Sequence, residues 1–204
     1  MAWKDLTPKT FASIRELNGI SARTQEEHYE LYKGYVGKVN EIQKRLDAVD
    51  RTTANQIFSD LRSLRVDYSF AIGGMKNHEI FFGHLGGKGG APAGRLKELI
   101  ERDFPSYDAW LADFKACGLA ARGWAWLAYD HDLSMLTTVV GDAQNTFPVW
   151  NATPVLGLDV YEHAYWLDYG RARAKYIDAF FNNLDWGIVA ANLDRALAMQ
   201  PVSK

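Results

Sequence analysis

Histidines and one closely spaced Asp–His pair are the side chains of this sequence best suited to chemistry. Asp159 and His163 are four residues apart, a spacing that can bring a carboxylate and an imidazole to one point. His28 lies in a stretch with helical periodicity, and His78 lies among the aromatic residues of another. Oxygen and nitrogen donors together suit iron, manganese or zinc. Each pattern taken alone also fits a helix cap, a surface histidine or a buried structural histidine.

The composition is that of an ordinary soluble globular protein. The chain has 204 residues, 48% hydrophobic and 24% charged, and can bury a sizeable core. Its formal net charge of −2 lacks the basic surplus of a general nucleic-acid binder. No apolar run has the length of a membrane span and no secretory signal is visible, so we expect neither. The single cysteine, Cys117, fits a reducing compartment, and we expect a cytoplasmic protein.

Residue periodicity predicts helices at both ends of the chain and a small sheet between them. Apolar residues recur at helical spacing over residues 21–64 and again from about 66 to 85. Further helices are expected over residues 94–103, 106–117, 162–181 and 185–198, and strands over 123–129, 134–140 and 154–158. We therefore predict an α+β fold. An N-terminal antiparallel helical hairpin, residues 1–93, precedes an α/β domain, residues 94–204, with a small three-stranded antiparallel sheet.

Glycines are concentrated at two places with different implications. Gly73 and Gly74 interrupt a predicted helix, where each costs roughly 1 kcal/mol relative to alanine. Such a pair indicates that another backbone or a bulky side chain packs close to it. The glycine run over residues 86–90 is followed by Ala91 and Pro92, and we interpret it as a loop at the domain boundary. Neither a strand nor a Gly-Lys-Ser/Thr sequence accompanies it, so it is not a phosphate-binding loop.

The histidines and the Asp–His pair belong to five short blocks that carry a more specific signal together. The blocks are Ile20-Ser21-x-x-Thr24 with His28-Tyr29, Tyr35-Val36 with Asn40, Asn77-His78-x-x-Phe81-Phe82, Gly123-Trp124-Ala125-Trp126-Leu127, and Asp159-Val160-Tyr161-Glu162-His163-Ala164-Tyr165. Tyr169, Arg173, Tyr176 and Trp186 follow them. In this order, and over most of the chain, the blocks resemble the iron/manganese superoxide dismutase family.

The resemblance implies a mononuclear metal site and a redox enzyme. By motif position the metal ligands are His28, His78, Asp159 and His163, and they would hold one manganese or iron ion per subunit. Members of the family disproportionate superoxide to dioxygen and hydrogen peroxide, with the metal alternating between M(III) and M(II). Two rival functions stay open. One is a non-catalytic structural or interaction protein of the same fold, and the other is a same-fold metalloprotein with a different redox substrate.

The resemblance also implies roles for residues around the metal. Tyr35 matches the gateway tyrosine that orders solvent at the substrate channel, and Gln144 resembles a glutamine that manganese-type members supply from a late loop. Gly74 stands where iron-type members usually carry a glutamine, so the two positions favour manganese. Trp126 would help to keep the site dry. The unusual loop at residues 147–150 leaves open whether Gln144 reaches the metal, and Gln144 and Trp126 also fit a turn and strand packing.

Two charged residues are implied at a subunit interface and at the channel mouth. Glu162 resembles a glutamate that reaches across a twofold axis to the metal histidine of the partner subunit, which would orient His163. We therefore expect a homodimer or a tetramer. Arg173 resembles an arginine near the channel mouth, where a cation would steer the superoxide anion. A surface salt bridge is the alternative for Arg173.

Departures from the family pattern lie close to the predicted metal site. His28 and Tyr35 are seven residues apart where eight is usual, and alignment backwards from Tyr35 would put Glu27 at the ligand position. We prefer His28, because seven residues bring it almost into line with Tyr35 on one helix face. Members of the family usually carry a histidine one turn after the first ligand, but here that turn holds Tyr32. The tyrosine that usually reaches the site from the other subunit is replaced by Trp166. We predict a rebuilt relay in which these two side chains are in contact.

Overall fold

Helices precede and follow a three-stranded sheet in the computed structural model, which describes residues 3–145 and 149–199. The helices before the sheet are α1 (Ala22–Ala48), α2 (Asp60–Gly83), α3 (Gly94–Asp103) and α4 (Tyr107–Ala120). The strands are β1 (Trp124–Asp130), β2 (Met135–Gly141) and β3 (Ala152–Asp159), and they are followed by α5 (Trp166–Tyr169), α6 (Arg173–Asn182) and α7 (Trp186–Ala198). Short 3-10 helices lie at Arg51–Thr53 and Glu162–Ala164. This order confirms the predicted α+β fold.

The pairing of α1 with α2 follows from the apolar stripe on each helix. Ser21 caps α1 by accepting the Thr24 N–H at 3.1 Å, which satisfies one of the free amides at the helix start. One apolar cluster joins the late turns of α1 to the early turns of α2 through Val39, Ile42, Leu46, Leu64 and Ala71. The ring centroids of His28, early in α1, and Phe82, late in α2, are 4.9 Å apart. The two helices are therefore antiparallel, as predicted.

The connection between α1 and α2 differs from the sequence prediction. The prediction of helix over residues 21–64 is wrong between Ala48, where α1 ends, and Asp60, where α2 begins. Asp50 and Asn55 each accept the backbone N–H two residues further along, at 2.9 and 2.8 Å. Such local bonds compete with helical hydrogen bonds. Ser59 then accepts the N–H three residues later and sets the start of α2.

The sheet has the strand order β2-β1-β3, and both pairings are antiparallel, as predicted. The central strand β1 pairs its first residue, Trp124, with Asp159, the last residue of β3. Pro154 lies on β3, an edge strand, which is where a sheet tolerates proline. The register therefore brings an indole and a carboxylate to the same end of the sheet.

The glycine run after α2 is a loop, as predicted, and it is closely packed. A Cβ atom on Gly87 would lie 2.3 Å from the carbonyl oxygen of Leu184. Gly89 has a φ of +63°, in the left-handed region that favours glycine. The Trp186 indole N–H donates to the carbonyl of Gly90 at 2.9 Å. Glycine is needed here because this loop touches the backbone between α6 and α7.

The predicted helix over residues 162–181 is interrupted in the structure. The 3-10 helix at Glu162–Ala164 and the single turn of α5 precede Gly170, which has a φ of +48°. This backbone conformation ends a right-handed helix, and glycine adopts it at little cost. As a result α6 begins separately at Arg173, after a change in chain direction.

One hydrophobic cluster includes side chains from both halves of the chain. Phe81 of α2 stacks on Phe180 of α6 with ring centroids 5.9 Å apart, and its ring also lies 6.4 Å from that of Trp124 in β1. The predicted division between residues 93 and 94 falls just before α3, between halves that share this core. It stays a prediction.

His84 is a buried histidine at the C-terminal cap of α2, away from the Asp–His pair of the sequence. Its ring lies 5.7 Å from that of Phe180 and 6.3 Å from that of Phe81, centroid to centroid. Burial lowers the pKa of His84 to about 3, although the nearby Gly157 backbone acts in the opposite direction. The imidazole is therefore neutral at pH 7 and packs as a core side chain.

We expect His84 to make the free energy of unfolding depend on pH. Between its folded pKa of about 3 and the ordinary histidine value of about 6.5, the unfolded imidazole binds a proton that the folded one does not. Its contribution to stability is therefore complete above about pH 6.5 and is lost as the pH falls, by up to about 1.4 kcal/mol per pH unit.

The variant His84→Leu keeps an apolar side chain at this position and removes the titration. Urea unfolding of both proteins at several pH values should give a flatter pH dependence for the variant. The same dependence in both proteins would contradict this account of His84.

Candidate metal centre

Four side chains from four separate elements meet at one point between the helical hairpin and the sheet. His28 comes from α1, His78 from α2, Asp159 from the end of β3 and His163 from the following 3-10 helix. One nitrogen or oxygen atom of each lies within 4.8 Å of the corresponding atoms of the other three. These are the four residues that the family resemblance implies as ligands, and the structure brings all of them together.

The Asp159 carboxylate is the centre of this group. Its Oδ2 lies 3.1 Å from His28 Nε2, 3.2 Å from His163 Nε2 and 3.5 Å from His78 Nε2. Its Oδ1 accepts the Tyr161 N–H at 2.9 Å, which fixes the orientation of the carboxyl group. One oxygen therefore faces all three imidazoles while the other is anchored to the backbone.

The hydrogen bonding of His78 leaves a donor atom facing the centre. Its Nδ1 lies 2.6 Å from the Gly74 carbonyl oxygen, which can only accept, so Nδ1 carries the proton and Nε2 carries the lone pair. That Nε2 is buried and makes no regular hydrogen bond to any described residue. A buried polar atom without a partner is costly, and a metal ion would satisfy it. The three-nitrogen, one-oxygen donor set therefore fits iron or manganese.

Burial and the shared carboxylate set the protonation of the group. Burial lowers the pKa of His78 to about 3 and lowers that of His28, for which the hydrogen bond to Asp159 acts in the opposite direction. For Asp159 burial acts upward, but the charge and hydrogen bond of His163, together with those of His28, hold its pKa well below the usual range. For His163 burial acts downward, but the charge and hydrogen bond of Asp159 raise its pKa above the usual value. Metal binds to neutral imidazoles and an ionised carboxylate, so an ion would have to displace the proton that Asp159 favours on His163.

Tyr35 lies directly beside the cluster, and Gly74 makes room for it. The Tyr35 and His78 ring centroids are 5.3 Å apart. A Cβ atom on Gly74 would lie 2.7 Å from the Tyr35 ring, so any side chain there would displace the ring. Burial raises the pKa of the Tyr35 phenol, and a side-chain hydrogen bond with Gln144 acts in the opposite direction.

Gln144 reaches the site because Gly73 lets its backbone approach α2. Its Oε1 accepts the Trp124 indole N–H at 3.1 Å and lies 3.3 Å from Asn77 Nδ2. A Cβ atom on Gly73 would lie 2.2 Å from the Gln144 carbonyl oxygen. The glycine pair thus has both of the close neighbours expected of it, a backbone at Gly73 and an aromatic ring at Gly74. Residues 147 and 148 of the unusual loop lie outside the described residues.

Of the two tryptophans on β1, Trp124 is the one that touches a predicted ligand. Its ring centroid lies 5.4 Å from that of His78, in an edge-to-face arrangement. Trp126 stacks on Trp124 with centroids 4.9 Å apart, and it is therefore one ring further from the cluster. The role predicted for Trp126 in keeping the site dry stays a prediction.

A cleft of about 550 Å³ opens beside His163. Tyr161 lies along it and stacks on the His163 ring, with centroids 5.3 Å apart and planes 14° apart. Glu162 also lines the cleft and is exposed, and its carboxylate makes no hydrogen bond or ion pair among the described residues. Arg122 contributes a largely exposed guanidinium to the same cleft.

Arg173 lines the same cleft, but its guanidinium is engaged by the protein. Its Nε donates to the Tyr165 hydroxyl at 3.1 Å, and its Nη1 donates to the carbonyls of Ala121 at 2.8 Å and Leu119 at 3.3 Å. Leu119 lies in the last turn of α4, and Ala121 is the C-cap residue of that helix. These bonds hold the guanidinium against the protein wall, and its predicted steering role stays a prediction.

The predicted contact between Tyr32 and Trp166 is not found within the part of the chain that the structure describes. Tyr32 is fully buried, and its hydroxyl accepts the Lys9 N–H at 2.9 Å and donates to Glu79 at 3.1 Å. Trp166 is 47% exposed and lines a groove with Leu31 instead. The predicted relay crosses the subunit interface and stays a prediction, but within one chain the N-terminal segment binds the Tyr32 hydroxyl.

Sequence reasoning missed the parts played by Asn77 and Tyr165 and left the role of Tyr176 open. Asn77 donates to the Gln144 carbonyl at 3.1 Å, and Tyr176 donates to the Asp159 main-chain carbonyl at 2.8 Å. Asn77 and Tyr165 lie within the quoted motifs, which is the only signal that the sequence offers for them. The alternative ligand Glu27 is exposed, so only His28 of that pair belongs to the cluster.

The fold and the donor set define a class, a mononuclear metalloprotein with its site between a helical hairpin and a small sheet. Residues 92–192 match the family model described as iron/manganese superoxide dismutases, C-terminal domain. The chain is 41% identical over 198 residues to a protein of Aquifex pyrophilus named as an iron superoxide dismutase, with 94% of this chain and 92% of the relative covered.

Two further relatives are named for different metals, one for iron and one for manganese. An iron superoxide dismutase of Cupriavidus metallidurans is 38% identical over 187 residues, covering 89% of this chain and 92% of the relative. A manganese superoxide dismutase of Haloferax volcanii is 35% identical over 182 residues, covering 88% of this chain and 90% of the relative. The chain belongs to the iron/manganese superoxide dismutase family. None of the helices in its described residues combines the length and apolarity needed to cross a membrane.

We expect loss of one predicted ligand to abolish metal retention. Asp159→Ala removes the only anion among the four donors, and His163→Ala removes one of the three imidazoles. Metal analysis of the purified proteins should find about one ion per chain in the parent and essentially none in either variant. His131→Ala, which changes a histidine on the β1–β2 hairpin, is the matched control and should keep its metal. Full metal content in Asp159→Ala would show that the ligands are wrongly assigned.

Proposed function

We propose that this protein is a superoxide dismutase that converts superoxide to dioxygen and hydrogen peroxide at one iron or manganese ion per subunit. The observation that carries the proposal is the convergence of His28, His78, Asp159 and His163 on one point in a chain of this family. When bound, the metal supplies one-electron redox chemistry by alternating between M(III) and M(II).

The residues around the site provide the groups that hydrogen peroxide formation needs. Two protons must reach the reduced substrate, and the Tyr35 hydroxyl, whose pKa burial raises, lies next to His78 and Gln144. Trp124 holds Gln144 in place through its indole N–H and covers one side of His78. Tyr35 and Gln144 therefore order the solvent and protons beside the ligands, and Trp124 limits the access of bulk water.

The cleft beside His163 attracts the substrate anion. Arg122 presents an exposed guanidinium there, and its nearest carboxylate, Asp142, is 3.9 Å away. A fixed positive charge at the mouth of a cleft raises the local concentration of an anion such as superoxide. Arg173 contributes its charge to the same cleft, although its hydrogen bonds hold it against the protein wall.

The choice between manganese and iron rests on Gly74 and Gln144. The resemblance associates this combination with manganese, and the close contact of Gly74 with Tyr35 leaves no room for a glutamine from α2. The relatives include proteins named for each metal. We therefore include both ions in the proposal, with the residue pair favouring manganese.

Superoxide consumption by the metal-loaded protein tests the proposed activity. Protein loaded separately with manganese and with iron should remove superoxide in an assay that follows its decay directly, and at least one form should be active. Tyr35→Phe keeps the ring and removes the hydroxyl, so metal content should be retained and turnover should fall by roughly tenfold or more.

The two rival functions give different outcomes in the same experiment. A chain without metal would support the structural or interaction protein. Stoichiometric metal without superoxide consumption by either form would support a metalloprotein with another redox substrate.

The proposal includes assembly of the protein as a homodimer, through the face that carries Glu162. Leu31, Trp166 and Leu167 are large apolar side chains exposed on this face, and they line one groove with Glu162 and His163. Burial of such apolar side chains favours association. In a twofold pairing Glu162 would reach the partner's metal histidine and orient its ring, as the resemblance implies. A tetramer of such dimers is the larger alternative.

Sedimentation of the metal-loaded protein tests this assembly. We expect a dimer or a tetramer, and Trp166→Glu should weaken the pairing by replacing an exposed apolar side chain of this groove with a charge. Trp150→Glu is the matched control, because Trp150 is also exposed but lies after β2, away from this groove. A monomeric parent protein, or equal effects of both substitutions, would contradict the proposed interface.

The proposed setting is the cytoplasm, and no nucleic-acid or membrane partner is part of the proposal. The single half-buried cysteine and the net charge of −2 support these two statements.

A further inference from the structure

Three side chains form a connected path that ends at the main chain of the Asp159 ligand. The Tyr176 hydroxyl donates to the main-chain carbonyl of Asp159 at 2.8 Å. The Tyr176 ring stacks on that of Tyr165, with centroids 5.1 Å apart and planes 23° apart. The Tyr165 hydroxyl in turn accepts the Nε–H of Arg173 at 3.1 Å. The path therefore runs from a predicted metal ligand to the cleft that Arg173 lines.

Burial makes this path stiff. Tyr176 is fully buried and Tyr165 nearly so, and both rings belong to the main hydrophobic cluster. A buried tyrosine ring held on both faces has few alternative rotamers, and its hydroxyl is costly to leave without a partner. The Asp159 carbonyl is the acceptor that satisfies Tyr176. Movement of Asp159 would therefore break a buried hydrogen bond.

Arg173 fixes the outer end of the path. Its guanidinium donates in two directions, to the Tyr165 hydroxyl and to the carbonyls of Leu119 and Ala121 at the end of α4. It also lies 5.6 Å from the centroid of the Tyr165 ring. A planar guanidinium makes several fixed hydrogen bonds at once, which a lysine ammonium at the end of a flexible stem does not reproduce.

Asp159 is thus held on both sides of its Cα atom. The Tyr161 N–H holds carboxylate Oδ1, and the Tyr176 hydroxyl holds the main-chain carbonyl. With both ends of the residue fixed, Oδ2 stays directed at the three imidazoles. Side chains that orient a metal ligand in this way tune the retention of the ion.

We propose that Tyr176, Tyr165 and Arg173 are positioning residues that hold Asp159 in its ligand geometry, with Arg173 acting through the two tyrosines. The inference rests on the metal site of the proposed function and assigns Arg173 a task other than steering. It concerns the retention and the environment of the ion, which are measurable without superoxide.

The central variant is Tyr176→Phe, which removes one hydroxyl and keeps the buried ring. We expect the ion to leave for a chelator about tenfold faster than from the parent protein. The visible absorption or electron paramagnetic resonance spectrum of the manganese- or iron-loaded protein should also change, since the carboxylate orientation changes. Thermal unfolding of the metal-free proteins measures any general loss of stability separately.

The matched control is Tyr169→Phe. The Tyr169 ring also lies against Tyr176, with centroids 6.2 Å apart, but its hydroxyl donates to the carbonyl of Gly19 and not to Asp159. We expect this variant to retain its metal and its spectrum like the parent protein, even where its unfolding temperature falls. Equal metal release and unchanged spectra in Tyr176→Phe and Tyr169→Phe would overturn the proposal.

Arg173→Lys distinguishes positioning from steering at the outer end of the path. It keeps the positive charge but loses the guanidinium hydrogen bonds, so metal release should accelerate and the spectrum should shift as in Tyr176→Phe. A parent-like ion-release rate and spectrum in Arg173→Lys would remove Arg173 from the proposal. Should Tyr176→Phe fail to fold, Tyr165→Phe interrupts the same path and is judged by the same two measurements.

Failure of the proposed activity has a different signature from failure of this inference. A protein that binds one ion and shows the expected release rates but consumes no superoxide would contradict the activity and leave the positioning path standing. Full activity together with unchanged ion release in all the variants of the path would contradict the positioning path and leave the proposed activity standing.

Discussion

A single buried carboxylate holds the site of this protein together. Asp159 is fully buried, and an isolated anion in such a place would be strongly destabilising. Three imidazoles from three elements surround its Oδ2, and a backbone N–H holds its other oxygen. Every element that contributes to the site has to reach this one point. The antiparallel hairpin, the sheet register and the turn after β3 all serve that requirement.

The helical hairpin can bring its two histidines to Asp159 partly because two positions of α2 are glycines without side chains. Gly73 and Gly74 lower the helix propensity of α2, yet they occur where the helix needs to be narrow. The Gln144 backbone packs against Gly73 and the Tyr35 ring packs against Gly74, both so closely that a Cβ atom at either glycine would clash. The same turn of α2 supplies the carbonyl that fixes the His78 ring. A local cost in helix stability therefore makes close packing around the ligands possible.

The surroundings of the site divide into an interior side and an exposed side. On the interior side, buried tyrosines and tryptophans connect the ligands to the core, and Arg173 joins them to the end of α4. On the exposed side, apolar residues such as Leu31 and Trp166 lie beside the partly exposed His163. The hydroxyl of Tyr32 is part of neither set of contacts, because it accepts the N–H of Lys9 in the N-terminal segment. Polar connections are thus kept inside the subunit, and the proposed partner face presents exposed apolar side chains among charged ones such as Glu162.

Much of the architecture could be predicted from the sequence because it depends on local patterns. Helical periodicity, runs of aromatic and β-branched residues and glycine clusters predicted α1, most of α2, the three strands and the loop after α2. The prediction was wrong between the first two helices and after His163, where side chains such as Asp50 and Asn55, and the left-handed Gly170, interrupt the periodicity. A periodic apolar pattern does not reveal such interruptions, since each depends on one residue rather than on a repeat.

For the site, the sequence by itself determined which residue types were available and, through the family resemblance, which of them were ligand candidates. It did not determine the partners of the side chains around them. Arg173 bonds carbonyls at the end of α4, Trp124 rather than Trp126 touches His78, and the Tyr32 hydroxyl faces Lys9. Those contacts join residues far apart in the chain, and only the tertiary structure decided them, because a side chain's partner depends on which distant backbone packs beside it.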